Sequence, residues 1–187
     1  MNTAFIIFDQ MTALDFVGFY DPLTRLKSMD FMPDFQWQIC SFCPDVSDTQ
    51  DLRFDPDLVG ASLDEFDLLV VPGGYGSRAL QHNEEFVSWL KTAAPVPLKA
   101  SVCTGSLLLG AAGFLTDKRA TTHPNARNEL ARYCGEVSAQ RIVDEGDVVT
   151  ARGVTSAIDL GLHLVERLAG EEIRIEIAKQ MDYPYYS

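Results

Sequence analysis

The chemistry that this chain could perform centres on one cysteine, Cys103, which follows a short apolar run and precedes a stretch of small apolar residues. Ser101 and Gly105, two positions before and after it, give the small-x-Cys-x-Gly spacing of a strand-to-helix turn that presents a nucleophile. A helix beginning at Thr104 would direct its positive end towards the sulfur, so we expect a thiol pKa below the usual ~8.5. The alternative is a buried structural cysteine, and these residues alone favour neither interpretation.

The composition limits the class of protein. With 187 residues, the chain is long enough for one compact domain that spans residues 1–187. Fifteen basic against 27 acidic residues give a net charge of −12, which argues against nucleic acid and anionic membrane surfaces as partners. No run approaches the ~18 apolar residues of a membrane span.

The cysteine content predicts a cytoplasmic protein. Four cysteines are too few for a disulfide scaffold at this length, and the first residues lack the basic region of a secretory signal. Cys40 and Cys43 have CxxC spacing, but neither a second pair nor a histidine stands at zinc-ligand distance in the sequence, so we expect no metal ion. Cys134 is predicted to end a helix.

Apolar runs predict the strands. Residues 4–8, 67–71 and 98–102 are apolar enough for strands that are covered on both faces, and residues 35–42 alternate as a further strand. Two more runs, at 141–143 and 148–150, are split by a Gly-containing turn and predict a β-hairpin.

Helical spacing fills the gaps between these strands. We predict a helix that opens at Asp21-Pro22, a second over 84–94, and two late helices, over 158–168 and around 173–177. Strands that alternate with helices imply an α/β fold with a mostly parallel sheet. Sites in such sheets lie beyond the carboxyl ends of the strands, where Cys103, Gly73-Gly74 and the turn after Phe8 all fall.

Five motifs occur in the order found in a known family. The chain resembles the ThiJ/PfpI superfamily, and within it the isonitrile hydratases and the amidotransferase-like sensor domains of some AraC-type regulators. The motifs are Thr12-Ala13-Leu14-Asp15, Pro72-Gly73-Gly74, Ser101-Val102-Cys103-Thr104-Gly105, Arg119-Ala120-Thr121-Thr122-His123 and Gly153-Val154-Thr155-Ser156-Ala157-Ile158-Asp159. The resemblance implies the fold of class I glutamine amidotransferases: a flavodoxin-like sandwich with helices on both faces and a nucleophile elbow.

The resemblance also implies roles for the site residues. Cys103 would be the nucleophile, Asp15 a carboxylate beside it, and Gly74 and Thr104 the backbone donors. A carboxyl group near a thiolate has a raised pKa, because like charges repel, so we expect Asp15 to share the proton of Cys103. The alternatives are that Asp15 only belongs to a helix start capped by Thr12, and that Gly73-Gly74 is an ordinary turn. One position departs from the hydratase pattern, because Phe19 stands where those enzymes tend to have proline.

The histidines are assigned lesser roles. PfpI-type peptidases have a histidine directly after the cysteine, and Thr104 at that position makes peptidase chemistry unexpected. We expect His123 to be a neighbour of the site together with Gly73, Gly153, Val154 and Thr155. His163 is predicted to be structural and His82 to lie in an exposed loop.

The resemblance, together with these residues, implies a hydratase-like cysteine enzyme that needs no metal or organic cofactor. Cys103 would add to the terminal carbon of an isonitrile, and water would release an N-substituted formamide. Two alternatives stay open. One is a non-catalytic dimeric sensor of oxidants or electrophiles, and the other is a glyoxalase or deglycase activity on α-oxoaldehydes, which the Thr121–Pro124 stretch also fits.

The late helix predicts how the chain assembles. Leu160, Leu162, Leu164, Val165 and Leu168 cover more of its circumference than one core-facing stripe requires. The excess would pack on neighbouring helices of the same chain or on a second copy. The aromatic tail from Tyr183 to Tyr186 adds apolar surface, so we expect a symmetric homodimer.

Overall fold

A computed structural model describes residues 1–184, so Tyr185 and Tyr186 of the aromatic tail lie outside the described residues. The strands are β1 (Asn2–Ile7), β2 (Gln36–Ser41), β3 (Val46–Ser47), β4 (Arg53–Phe54), β5 (Leu58–Val59), β6 (Leu68–Val71), β7 (Leu98–Val102), β8 (Arg119–Ala120), β9 (Glu136–Val137), β10 (Ile142–Asp144) and β11 (Val148–Ala151). The helices are α1 (Ala13–Ser28), α2 (Ser77–Leu80), α3 (Glu84–Lys91), α4 (Gly105–Ala111), α5 (Arg127–Leu130), α6 (Ser156–Ala169) and α7 (Glu171–Gln180), with a 3₁₀ turn at Pro124–Ala126.

Seven of the strands formed by residues 1–184 make one central sheet, in the order β10-β11-β7-β6-β1-β2-β5. Every neighbouring pair runs parallel except β10 and β11, which form the predicted hairpin. The central strands β1, β6, β7 and β11 are almost fully buried because helices cover both faces of the sheet. The α/β fold with a mostly parallel sheet is confirmed.

The predicted start of the first helix is wrong. Helix α1 begins at Ala13 and continues through Pro22, although a proline inside a helix removes a hydrogen bond and crowds the residue four positions earlier. That earlier residue is Gly18, where an added Cβ would lie 2.6 Å from Cβ of Ala157 on α6. A Cβ on Gly161 would likewise lie 2.9 Å from Cγ of Pro22. Close packing of α1 on α6 therefore keeps the helix continuous across its proline.

The apolar circumference of α6 is covered within the chain. The helix packs on α1, α7 and the sheet, and Leu160, Leu162, Leu164 and Val165 are fully buried. The sequence allowed this extra apolar surface of α6 to pack either on neighbouring helices or on a second copy of the chain. The structure shows that the neighbouring helices and the sheet cover it. No helix within residues 1–184 is long and apolar enough to cross a membrane.

Three loops at the carboxyl edge of the sheet are tied together. They follow β1, β6 and β7, which are adjacent in the sheet. The N–H of Thr12 donates to the carbonyl of Gly73 over 2.8 Å, and Met11 forms an isolated bridge with Gly74. A Cβ on Gly74 would lie 2.5 Å from the carbonyl oxygen of Gln10, so only glycine allows this approach. The sheet order and these contacts fix the position of the predicted site.

Candidate active site

Cys103 occupies a strained turn between β7 and α4. Its φ of 55° lies in the left-handed region that non-glycine residues rarely adopt. The turn is held by a hydrogen bond from the Cys103 N–H to the carbonyl of Ala151 at 3.0 Å. Its carbonyl accepts hydrogen bonds from the hydroxyls of Thr122 at 2.9 Å and Ser106 at 3.1 Å. The geometry is that of a nucleophile elbow, and the sequence analysis did not anticipate the two hydroxyls that brace it.

Asp15 lies beside this turn and is fully buried. One carboxylate oxygen, Oδ2, accepts a hydrogen bond from the N–H of Gly73 at 3.0 Å. The other, Oδ1, has no hydrogen-bond partner within residues 1–184. Thr12 makes no side-chain cap to the start of α1. Asp15, in the first turn of this helix, bonds to the loop after β6 and not to its own helix backbone.

Gly73 allows the carboxyl and the thiol to meet. A Cβ at this position would lie 2.5 Å from the nitrogen of Thr104, 2.8 Å from Cβ of Cys103 and 2.9 Å from Oδ2 of Asp15. Real Cβ atoms do not approach other atoms so closely, so any other residue would push the three groups apart. Gly73 is therefore a structural requirement of the site.

The expected lowering of the thiol pKa is wrong. Burial raises the pKa of Cys103 to about 12, and the negative charge of Asp15 adds to the rise, whereas the N–H of Thr104 opposes it. Burial likewise raises the pKa of Asp15 to about 7, against hydrogen bonds from the Gly73 N–H and the Cys103 thiol. Between these two values the pair holds one proton, and the thiolate forms when the thiol passes its proton to Asp15.

The reactivity of Cys103 should therefore follow the titration of Asp15. We expect its alkylation by iodoacetamide to be slow at pH 5 and to rise as the pH passes about 7, where Asp15 becomes able to accept the thiol proton. Peptide mapping after short exposures at several pH values measures this, with the exposed Cys43 as the internal reference. A Cys103 rate that stays flat from pH 5 to 9 would contradict the shared proton.

Thr104 and Gly74 take part in a buried hydroxyl network. The N–H of Gly74 donates to Oγ1 of Thr104 at 2.9 Å, and Oγ of Ser77 lies 2.8 Å from the same oxygen. Ser77 also lies 2.7 Å from the carbonyl oxygen of Gly74. The N–H of Gly74, predicted as a backbone donor of the site, is thus occupied by Thr104, whereas the N–H of Thr104 lies where it opposes the rise in the pKa of the Cys103 thiol. Sequence reasoning missed Ser77, although it follows the Gly73-Gly74 turn closely.

Cys103 opens into a cleft of about 170 Å³. The residues that line it are Thr12, Gly74, Tyr75, Arg78, Cys103, Thr104, His123, Asn125 and Val154. Sequence reasoning did not select Tyr75, Arg78 or Asn125, because nothing in their local pattern marks them as facing the cysteine. The cleft lies below the ~300–1,000 Å³ usual for ligand pockets, so its ligand should be small.

His123 lies in the cleft wall without a hydrogen bond to Cys103. Its Nδ1 accepts from the N–H of Asn125 at 3.3 Å, so the proton of the neutral ring sits on Nε2. A Cβ on Gly153 would lie 3.4 Å from its ring, which places that loop against the histidine. Thr155 is exposed, and its hydroxyl lies 3.5 Å from a guanidinium nitrogen of Arg141, away from the cleft lining.

The remaining cysteines and histidines lie elsewhere. His163 pairs with Asp144 at 2.8 Å on α6, and His82 is exposed after α2. Cys40 is buried at the end of β2, whereas Cys43 is exposed. Within residues 1–184, no three histidine, cysteine or acidic side chains are placed to hold a metal ion.

The fold and site correspond to one protein family. Residues 1–167 match the family model described as the DJ-1/PfpI family. The chain is 34% identical to the isonitrile hydratase of Pseudomonas putida over 98% of its own length and 78% of the relative's. It is 27% identical to the glutathione-independent glyoxalase DJ-1 of Schizosaccharomyces pombe, over 64% of each chain.

The solved structures show the same relationship. A ThiJ/PfpI family protein from Pseudomonas syringae superimposes with a TM-score of 0.87 at 26% identity, over all of this chain and 77% of that one. The chain therefore belongs to the DJ-1/PfpI family, also called ThiJ/PfpI.

Proposed function

We propose that the chain is a cysteine-dependent hydratase that converts small isonitriles to N-substituted formamides. The observation that carries the proposal is the buried Asp15 carboxyl beside Cys103, with a pKa near 7 and one oxygen free of partners within the described chain. A group that can both accept and return a proton at neutral pH is what addition followed by hydrolysis requires. Similarity to a named isonitrile hydratase supports the choice of substrate.

The first half of the reaction forms a covalent thioimidate. The thiol proton of Cys103 passes to Asp15, and the sulfur attacks the terminal carbon of R–N≡C. Asp15 then gives the proton to that carbon, which leaves R–N=CH–S on the enzyme. The carboxylate is regenerated, so no external acid is consumed.

The second half releases the product. The oxygen of a water molecule attacks the thioimidate carbon while Asp15 takes a proton from that water. Asp15 then passes the proton to the thioimidate nitrogen. As the carbon–oxygen double bond forms, the carbon–sulfur bond breaks and the hydroxyl proton returns to the thiol through Asp15. The sum is R–N≡C plus water giving R–NH–CHO, and every step uses the same two side chains.

A panel of small isonitriles tests the proposal. Formamide formation by the unaltered protein, its loss in Cys103→Ala and its retention in Cys43→Ala are the expected results. Cys43 is a matched control because it is an exposed free thiol outside the cleft lining. Unreacted isonitriles in every sample, with the protein folded, would refute the proposal.

The second candidate is a glyoxalase-type reaction on α-oxoaldehydes. It is supported by similarity to the glyoxalase of S. pombe and by the Nε2–H of His123 in the cleft wall, which could donate to a carbonyl oxygen. A parallel assay with methylglyoxal separates the two activities. Activity in neither assay, with selective oxidation of Cys103, would favour a sensor, which the raised thiol pKa and small exposure of Cys103 argue against.

We further propose that the protein is a symmetric homodimer. The support is on α1, where Leu14 and Val17 expose 49% and 46% of their surface one turn apart. Light scattering at micromolar concentration should give twice the 20.7 kDa of one chain. A mass near 20.7 kDa would refute the dimer.

The state of the cysteines supports a cytoplasmic location. All four are free thiols, and the exposed Cys43 would be vulnerable to oxidation in a secretory compartment. We therefore place the protein in a reducing compartment. Fractionation of cells that express the full chain would test this placement.

A further inference from the structure

We propose that the cleft prefers electrophiles carrying a carboxylate or a similarly small anionic group, and that Arg78 is the residue that binds this group. The inference rests on the proposed function of Cys103 as the nucleophile of the cleft.

Two contacts hold Arg78 at the rim of the cleft. Its guanidinium carbon lies 5.8 Å from the ring centroid of Tyr75, and its Nε lies 3.5 Å from Oε1 of Glu129. Glu129 is itself held, because Nε2 of Gln81 donates to its other oxygen at 3.3 Å. The arginine is thus positioned by a stacking ring on one side and an anchored carboxylate on the other.

The outer part of the guanidinium is left free for a ligand. Glu129 faces Nε, and neither Nη nitrogen makes a hydrogen bond within residues 1–184. The side chain is 38% exposed, so the free N–H groups meet the solvent that fills the cleft. A planar pair of N–H donors of this kind matches the two oxygens of a carboxylate.

The charges of the residues that line the cleft also favour an anionic ligand. Among its lining residues Arg78 is the one permanently charged side chain, and the neighbouring polar groups include the Nε2–H of His123 and the amide of Asn125. The protein as a whole carries a net charge of −12, which repels anions from most of its surface. Arg78, although its Nε is paired with Glu129, is therefore the one cationic side chain that an anion meets among the residues lining the cleft.

The cleft is small enough for one small molecule to contact both Cys103 and Arg78. Cys103 and Arg78 line the same volume of about 170 Å³. A compact electrophile attacked by the sulfur can then place an anionic substituent against the arginine. Isocyanoacetate, an isonitrile with a carboxylate one carbon away, is the smallest test compound of this class.

Alkylation of Cys103 tests the inference without requiring isonitrile turnover. Iodoacetate and iodoacetamide have nearly the same shape and differ in charge. We expect Arg78→Gln to slow labelling of Cys103 by iodoacetate about tenfold, the low end for a lost charge-assisted hydrogen bond, and to leave iodoacetamide unchanged. Arg78→Lys should restore part of the iodoacetate rate.

Two references separate this effect from bulk charge and from damage to the fold. Cys43, measured in the same digest, should keep the same ratio of iodoacetate to iodoacetamide labelling rates in Arg78→Gln as in the unaltered protein, since it lies outside the cleft lining. Arg119→Gln removes an exposed, salt-bridged arginine elsewhere and should leave the Cys103 ratio unaltered. An unchanged ratio in Arg78→Gln, an equal loss with both reagents, or the same change in Arg119→Gln would each overturn the inference.

The isonitrile assay distinguishes failure of this inference from failure of the proposed function. If Arg78→Gln raises the KM for isocyanoacetate about tenfold and leaves the KM for a neutral isonitrile constant, the result supports both the hydratase function and the anion preference. Turnover of neutral isonitriles with no effect of Arg78→Gln on isocyanoacetate overturns the inference alone. An altered alkylation ratio without any turnover overturns the hydratase and keeps the anion preference.

Discussion

Replacing Asp15 by Asn should reduce turnover at Cys103 by roughly 10²–10⁴, the usual cost of a lost acid–base group. The asparagine can still accept the Gly73 N–H through its amide oxygen, so the loop geometry is expected to persist. What it cannot do is take the thiol proton and return it to the substrate carbon. The thiol then remains protonated up to the high pKa that burial imposes.

The measurement is kcat with an isonitrile that the unaltered enzyme hydrates, alongside circular dichroism. Asp21→Asn is the matched control, because Asp21 lies on the same helix and pairs with Arg25 at the surface. It should retain nearly full activity. If Asp15→Asn turned over at the normal rate with a normal spectrum, Asp15 would be only a residue of the helix start.

The same substitution should change the pH dependence of stability. Asp15 has a pKa of about 7 in the folded protein against 3.8 ordinarily, so between these values the folded state holds a proton that the unfolded state has lost. Stability therefore falls as the pH rises from 4 to 7, by about 4 kcal/mol from this group at 1.36 kcal/mol per pH unit. Asparagine does not titrate and escapes that loss.

The asparagine also carries a cost of its own, so whether Asp15→Asn is more or less stable than the native protein depends on pH. The amide NH₂ would take the place of Oδ1, which has no partner within residues 1–184, and a buried unpaired donor costs about 1–3 kcal/mol. Asp15→Asn should thus be less stable than the native protein at pH 4 and more stable, by about 1–3 kcal/mol, at pH 8. Urea unfolding at the two pH values measures the difference, with Asp21→Asn expected to show no reversal. A constant difference at both pH values would mean that Asp15 is not a buried titrating group.

Much of the fold could be predicted because its central strands are continuous apolar segments. β6 and β7 are short runs buried on both faces; Pro72-Gly73-Gly74 ends β6, and the small residues around Cys103 follow β7. The local pattern, with the expectation of a mostly parallel sheet, was enough to predict that these strand ends lie at one edge of the sheet. Small residues around Cys103 were enough to predict the elbow.

The first helix shows where local pattern fails. A proline normally marks a helix start, yet Pro22 lies inside α1 because Gly18 and Gly161 let α1 and α6 approach closely. That packing joins residues more than a hundred positions apart in the chain. No rule based on neighbouring residues contains it.

The sequence by itself predicted a cysteine at a strand-to-helix elbow, and its family resemblance predicted that the Asp15 carboxylate lies beside this cysteine. The tertiary structure decided its protonation, because burial and the proximity of Asp15 outweigh the N–H of Thr104 and raise the thiol pKa. It also decided that the Gly74 N–H bonds to Thr104 and that Arg78 faces the cleft. Residue type and spacing set what a side chain can do, whereas desolvation and charge depend on distant segments that only the folded chain brings together.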